Sequence, residues 1–305
     1  MNEEEKNIEN EEAPSGLMSR RKFLHLGIVG TSVLAAGGSA AGIATRNHIE
    51  LTKKIITLPN LPQSWKGTTI TFASDVHAGA YMTADDMKKI VHMINSLKSD
   101  IVLLPGDFVT SHRNEIPSIV EAFSELEAPL GKFATTGNHE FYVDADLVSD
   151  AIESCNIKML RNDNVALEKN GEKLYILGVD DIDADQITLY LDGKKAEHIE
   201  ATYRGVPDRS ATILLNHKPY LFDEYAHTNA GLMLSGHTHG GQIVFARLGD
   251  LNLSFSRIAS KYVEGMYTHE VNGITKQMYV SRGLGTVALP MRLNCPPEIT
   301  QITLA

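Results

Sequence analysis

Five short apolar runs in this chain each lead into residues that can hold a metal ion or move a proton. TTITFASD (68–75) delivers Asp75, with His77 two residues on; IVLLPGD (101–107) delivers Asp107; GKFATTGNHE (131–140) delivers Asn138 and His139; SATILLNHKP (210–219) delivers His217; AGLMLSGHTHGG (230–241) delivers His237 and His239. Runs of β-branched and aliphatic residues bounded by Gly or Pro read as strands, and an unbroken run such as IVLL marks one buried on both faces. Every polar group named above therefore falls at the C-terminal end of an expected strand, which is where open α/β sheets bind ligands.

Between these runs the period changes. In TADDMKKIVHMINSLKSD, Met87, Ile90, Val91, Ile94 and Leu97 keep helical spacing. Thr83 precedes them as an N-cap with Asp86 three residues on, which predicts an amphipathic helix. EIPSIVEAFSELEA and DADLVSDAIESC read as two more helices. Beyond residue 155 strands become denser: IKML, then NVALEKNGEKLYILGVDD folded back at NGEK, and later GQIVFA, KQMYVSRG and EITQITLA. DADQITLYLDGKKAEHIEATY reads as largely helical among them. Strand–helix alternation followed by dense strands predicts one α/β domain over residues 50–305, with two packed mixed β-sheets flanked by helices.

The 305 residues are ample for a large core, and the two cysteines, Cys155 and Cys295, form no CxxC pair and read as free, buried thiols. Net charge is −10, of which residues 1–14 carry −5 and Arg20, Arg21 and Lys22 return +3, leaving −8 from residue 23 onward. An acidic surface argues against general nucleic-acid binding, which needs Lys and Arg to displace counterions. It also requires a strong local positive charge if the substrate is an anion.

The first 18 residues read as a solvated, disordered acidic head. SRRKFLHLGIVGTSVLAAGGSAAGIA (19–44) then places two arginines before Phe23-Leu24 and a run of 19 uncharged, glycine-rich residues, Leu26–Ala44. This pattern resembles a bacterial twin-arginine export signal, which implies the export machinery as a partner and a location in the periplasm or cell wall. Small residues around Ser39–Ala41 and Gly42–Ala44 offer cleavage sites. If uncut, residues 26–44 become a membrane anchor with the remainder outside.

Each strand-end motif has an ordinary explanation on its own. An Asp after a strand is most often a turn or cap residue, and one buried His is usually a satisfied core group. Delivered together in one order, D-x-H, G-D, G-N-H-E, H and G-H-x-H, they resemble the calcineurin-like metallophosphoesterase superfamily, in particular its twin-arginine-exported phosphodiesterase branch. The closing SRGLGTVALPMRLNCPPEITQITL is similar to that branch as well. The resemblance implies two divalent metals. One would be held by Asp75, His77, Asp107 and His239, the other by Asp107, Asn138, His217 and His237, with Asp107 shared. It also implies that His139 contacts the phosphate or protonates the leaving alkoxide, work suited to a group with a near-neutral pKa.

The chemistry of the donor set agrees. Mixed Asp, His and Asn donors suit Mn, Fe or Zn better than Ca or Mg, which want oxygen alone. On an extended HxH turn alternate side chains point the same way, so His237 and His239 can face a pair of ions, while Gly236, Gly240 and Gly241 permit close approach. Two ions about 3.5–4 Å apart clamp a phosphoryl group and acidify a shared water. Glu140 is placed to orient these ligands. The expected activity is hydrolysis of a phosphodiester or pyrophosphate in an envelope substrate, lipid-linked or wall-linked, by a metal-bridging hydroxide. The rival readings are a metal-binding envelope protein without turnover, an extracellular nuclease, and an amidohydrolase-type enzyme, in which HxH comes first rather than last. Asp180, Asp181, Asp183 and Asp185 form an acidic stretch without the glycine and glutamate of an EF-hand and read as a solvated loop. Arg282 and Arg292 read either as contacts to substrate phosphate or as surface and ion-pair residues.

Overall fold

A computed structural model describes residues 45–181, 195–249 and 251–305. The acidic head, the twin-arginine segment, Asp183 and Asp185 lie outside the described residues, as does the start of the helix expected from Asp183.

The first half alternates strand and helix. β1 (Glu50–Ile56) and β2 (Thr69–Phe72) are followed by α1 (Ala84–Ser96), β3 (Ile101–Pro105), α2 (Ile116–Phe123) and β4 (Lys132–Thr135). Two helices in tandem, α3 (Asn138–Val143) and α4 (Ala145–Ser154), then lead to the short β5 (Lys158–Met159). The second half holds β6 (Asp163–Lys169), β7 (Glu172–Gly178), α5 (Lys195–Thr202), β8 (Ala211–Leu215), α6 (Phe222–Tyr225) and β9 (Leu232–Ser235). Next come the hairpin β10 (Val244–Leu248) and β11 (Leu251–Ser254), α7 (Ser256–Ala259), β12 (Gly265–Val271), β13 (Ile274–Val280) and β14 (Glu298–Leu304).

Two six-stranded mixed sheets result, ordered β1-β14-β2-β3-β4-β5 and β12-β13-β9-β8-β7-β6. The strands that carry the motifs, β2, β3 and β4 in one sheet and β8 and β9 in the other, are parallel neighbours. Their C-terminal ends therefore share an edge within each sheet. Side-chain alternation sorts each strand between layers. On β3, Ile101 and Leu103 face the second sheet, where they join Ile213, Leu215, Leu232 and Leu234. Val102 and Leu104 face the helices and meet Ile90 and Ile94 of α1, Phe123 of α2 and Ile152 of α4. On the far side of the second sheet Leu214, Met233 and Val280 pack beneath Phe222 and Tyr225. The layering is helix, sheet, sheet, helix, as the sequence pattern implied.

Local signals explain most boundaries. Thr83 and Asp86 form the expected capping box at the start of α1. α2 carries a Pro in its first turn, where its missing N–H costs nothing. One expectation is corrected: GNHE does not extend a strand. β4 stops at Thr135, and Asn138 and His139 open α3. The Glu140 carboxylate accepts the Gly137 N–H at 2.6 Å and so supplies the cap. β12 and the strand Leu251–Ser254 were not expected; both are partners in hairpins whose alternation is polar enough to read as loop. Among the described residues no helix is long and apolar enough to cross a membrane.

Candidate metal centre

The loops after β2, β3, β8 and β9 meet where the two sheets face each other. Backbone bonds stitch the first pair: Asp75 N–H donates to Gly106 O at 3.1 Å and His77 N–H to Asp107 O at 3.0 Å. A further bond crosses between sheets, as His237 N–H donates to Asp75 Oδ1 at 2.8 Å. His217 Nδ1 lies 2.7 Å from the carbonyl of Pro105, a strand-β3 residue, and this sets its Nε2 toward the carboxylates.

Among the described residues three overlapping groups of donors form. Asp75, His77 and His239 place ligand atoms within 4.8 Å of one another, and so do Asp107, His217 and His237; His77, Asp107 and His139 make a third set that links these two. Asp107 stands between them: its Oδ2 is 3.0 Å from His217 Nε2 and 3.5 Å from His77 Nε2. His77 Nε2 and His239 Nε2 approach to 3.0 Å, and His239 Nε2 is 3.6 Å from Asp75 Oδ1. Asn138 is buried, and its Oδ1 has no hydrogen-bond partner among the described residues, while its Nδ2 reaches Tyr142 Oη at 3.3 Å. A buried amide oxygen left unpaired is what a missing cation would satisfy. Four imidazoles, two carboxylates and this oxygen, all buried except the partly exposed His237, fit borderline divalent ions.

Backbone conformation at these residues is unusual. Asp75, His77, Asp107, His237 and His239 all have left-handed φ, between 51° and 71°. Non-glycine residues in that region cost of order 1–3 kcal/mol each and persist only where the surroundings impose them. This revises one detail of the HxH turn. His237 and His239 do not share a face by extended alternation; each is left-handed, on either side of a right-handed Thr238, and His239 joins the Asp75 group while His237 joins the Asp107 group. Gly236 is needed for contact rather than for φ, since a Cβ there would lie 2.2 Å from Asp75 Oδ2.

Electrostatics follow from burial. Desolvation drives His77 down to about 3 and holds His237 and His239 well below the usual imidazole range. Burial opposes charge on His217 too, but Asp107 and Asp75 outweigh it and lift this imidazole to about 10. Burial would likewise raise Asp107, yet His217 and His139 hold it well below the carboxylate range. In the metal-free protein His217 thus carries the proton that a cation would displace.

His139 opens α3 beside this centre. Its N–H donates to Asp107 Oδ1 at 3.0 Å, and its Nδ1 bonds the Thr110 carbonyl, leaving Nε2 for other work. Its ring meets His77 edge-on at 4.5 Å and Tyr142 at 5.0 Å. Glu140 is fully buried and accepts from Asp107 N–H at 2.9 Å and Phe108 N–H at 2.8 Å, so it orients the loop that carries Asp107. Burial and the Asp107 charge push Glu140 up to about 8.

Three groups that sequence reading left open now have places. Arg292 is fully buried and does not face solvent: it donates to Gly285 O at 2.6 Å and lies 3.3 Å from both the His239 carbonyl and His239 Nδ1. It braces the metal loop from behind. Arg282 pairs with Glu50 at 3.0 Å and Glu298 at 3.3 Å. Asp180 and Asp181 are not a solvated loop: Asp180 is bound by Arg161 at 2.9 Å and Asp181 by Lys218 at 2.7 Å. Cys155 and Cys295 are free and buried, the latter with Sγ 3.2 Å from the His239 carbonyl. Tyr142 and Tyr220, the latter 5.9 Å from the His237 ring, form an aromatic rim that no motif announced.

Fold and site together define a two-sheet α/β sandwich with a buried His/Asp metal centre between its layers. The profile of the family described as Calcineurin-like phosphoesterase matches residues 68–241, the stretch that holds all seven candidate ligands and His139. The chain belongs to that family of metal-dependent phosphoester hydrolases. It is 32% identical over 260 residues to an uncharacterized metallophosphoesterase of Aquifex aeolicus, covering 84% of this chain and 92% of that one. It is also 32% identical over 300 residues to the uncharacterized metallophosphoesterase YkuE of Bacillus subtilis, covering 94% and 98%. Among solved structures it is similar to a 5'-nucleotidase precursor from Thermus thermophilus, at 14% identity and a TM-score of 0.44, over 71% of this chain and 49% of that one.

Proposed function

We propose that this chain hydrolyses phosphodiesters at a centre of two divalent ions. One ion would be held by Asp75, His77, Asp107 and His239, the other by Asp107, Asn138, His217 and His237. The observation that carries this reading is the position of Asp107 Oδ2, in contact with an imidazole from each donor group. When bound, the ions supply Lewis acidity to a phosphoryl oxygen and make a water nucleophilic at neutral pH. The chain's own groups do the rest. Nδ1 of His139 is engaged by Thr110, so Nε2 is the nitrogen that delivers a proton to the leaving oxygen. Glu140 fixes the Asp107 loop through backbone N–H groups and takes no part in proton transfer.

A cavity of about 630 Å³ opens beside His77, lined by Tyr81, Thr110, Ser111, His112 and Asn114. Its hydroxyl, amide and imidazole groups suit a polar organic substituent, and a diester, unlike a monoester, would bring a second substituent to fill it while the first leaves beside His139. We further propose that residues 19–44 direct export, so that the substrate is an envelope phosphodiester, lipid-linked or wall-linked.

The discriminating experiment compares protein loaded with Mn, Fe or Zn on bis-p-nitrophenyl phosphate and p-nitrophenyl phosphate. Faster release from the diester is expected; faster release from the monoester overturns the diester reading. No release from either, with metal bound, would favour a metal-binding protein without turnover. Recovery outside the cytoplasm that is lost when Arg20 and Arg21 are both replaced by Lys tests the export step.

A further inference from the structure

His139 is held from behind by one carbonyl, and the loop that carries this carbonyl has a keeper of its own. Thr110, Ser111 and His112 follow Asp107 on the connection between β3 and α2. All three of their backbone N–H groups point at a single carboxylate oxygen, Glu115 Oε2, at 2.7, 3.0 and 3.2 Å. Successive N–H groups that converge in this way make an anion-binding concavity, and here the chain fills it with its own glutamate. Gly79 leaves the room: a Cβ there would lie 3.2 Å from Glu115 Oε1 and 3.3 Å from Thr110 Oγ1. On its other side the loop is tied to the first motif, where Thr110 Oγ1 donates to Ala78 O at 3.0 Å and lies 3.1 Å from His77 O. Among the described residues no cation pairs with Glu115, so its charge serves the loop alone.

One peptide unit joins this carboxylate to His139. Its N–H is that of Ser111 and is bound by Glu115; its C=O is that of Thr110 and accepts from Nδ1 of His139. A carbonyl can only accept, so Nδ1 keeps its proton and Nε2 is left for chemistry. Without the carboxylate, the three N–H groups would turn to water and the carbonyl would lose its fixed direction. We propose that Glu115 is a positioning residue for His139: it fixes the Thr110–Ser111 peptide, and that peptide sets the tautomer and the aim of the imidazole. The proposal rests on the reading of His139 as the acid that serves the leaving oxygen, and it adds a residue that is no candidate ligand and that the sequence offers only as the start of a helix.

The test uses the full-length, metal-loaded chain and two diesters that differ in the oxygen that leaves, methyl p-nitrophenyl phosphate and methyl phenyl phosphate. Phenoxide is the more basic leaving group and depends more on a proton delivered in the transition state. Glu115→Ala should lower kcat on the phenyl ester about 10–100-fold, the usual scale for losing an outer partner of a site residue, and on the p-nitrophenyl ester markedly less. KM and metal content should hold. Glu115→Gln, which keeps an oxygen for the three N–H groups, should recover most of the rate. Glu115→Asp, one methylene short of them, repeats the reading should the alanine variant misfold. In a His139→Ala background Glu115→Ala should cause no further loss, because residues that act through one another are not additive. In zinc-loaded, isotope-labelled protein the His139 Nδ1–H signal, assigned by its absence in His139→Ala, should be lost to solvent exchange in Glu115→Ala and kept in Glu115→Gln. An equal loss on both esters, a full further loss in the His139→Ala background, or release of metal overturns the proposal, since each marks the glutamate as ordinary support for the fold. If His139→Ala slows the phenyl ester and Glu115→Ala does not, the proposal alone falls. If neither change slows either ester, the acid role of His139 falls and takes the proposal with it.

Discussion

At the scale of single residues, Asp107 decides the most. It accepts from His139 N–H through one oxygen and faces His217 and His77 with the other. Asp107→Asn should abolish metal retention and hydrolysis together, read as metal content after dialysis and as turnover. His139→Ala should separate the two: metal content unchanged, kcat down about 10²–10⁴-fold, the usual worth of a general acid. Glu140→Gln keeps the shape but weakens the grip on Asp107 and Phe108 N–H, so metal affinity should fall about 10–100-fold, measured by competition with a chromophoric chelator. These residues were legible because Asp and His after apolar runs carry a chemical signature that survives without geometry. Arg292 was not. Its partners are carbonyl oxygens of Gly285 and His239, which any residue can offer, so nothing in PMRLNC signals a guanidinium buried against a loop 53 positions away. The left-handed φ of five candidate ligand residues was equally hidden, since Asp and His do not demand it; the tertiary setting imposes it.

At the scale of elements, period and capping explain what could be read. Thr83 both accepts from Asp86 N–H and donates to the Asp86 carboxylate, so Thr83→Ala should cost about 1 kcal/mol, seen by urea titration, with hydrolysis unchanged. Leu103 is fully buried at the contact between sheets, on the strand that leads to Asp107. Leu103→Ala should cost about 2–5 kcal/mol on the same titration. The strand runs were visible because a strand covered on both faces leaves no polar residue in its middle. Short or half-exposed elements were not: α3 is only six residues long, and its start is set by the Glu140 carboxylate reaching back to Gly137 rather than by any period. The β10–β11 hairpin shows alternation, but alternation alone does not say which face is covered. Here the polar face is, because Asn252 donates to Gly240 O and Ser254 packs closely against Gly241.

At the scale of the molecule, the site belongs to neither sheet alone. Asp75, Asp107 and Asn138 follow β2, β3 and β4, whereas His217, His237 and His239 follow β8 and β9. If those residues hold the proposed ions, stability and metal should be coupled, and pH should expose the coupling. His217 is lifted from 6.5 to about 10, so its protonated form stabilises the metal-free fold below 6.5, and that contribution is lost as pH rises toward 10. His77, His237 and His239 are depressed, so they favour the fold above 6.5 and weaken it as pH falls. Metal-free protein should have its highest Tm near neutrality and decline on both sides, whereas Mn- or Zn-loaded protein should hold its Tm on the alkaline side. A scan across pH with and without chelator checks both limbs; a flat alkaline limb without metal would contradict the His217 assignment. On the proposed reading, the same ions would lock five loops drawn from opposite layers. Scarcity of those cations would then reach the protein twice, first as lost turnover and then as a shorter lifetime, because the clasp between its halves and its chemical engine are one object.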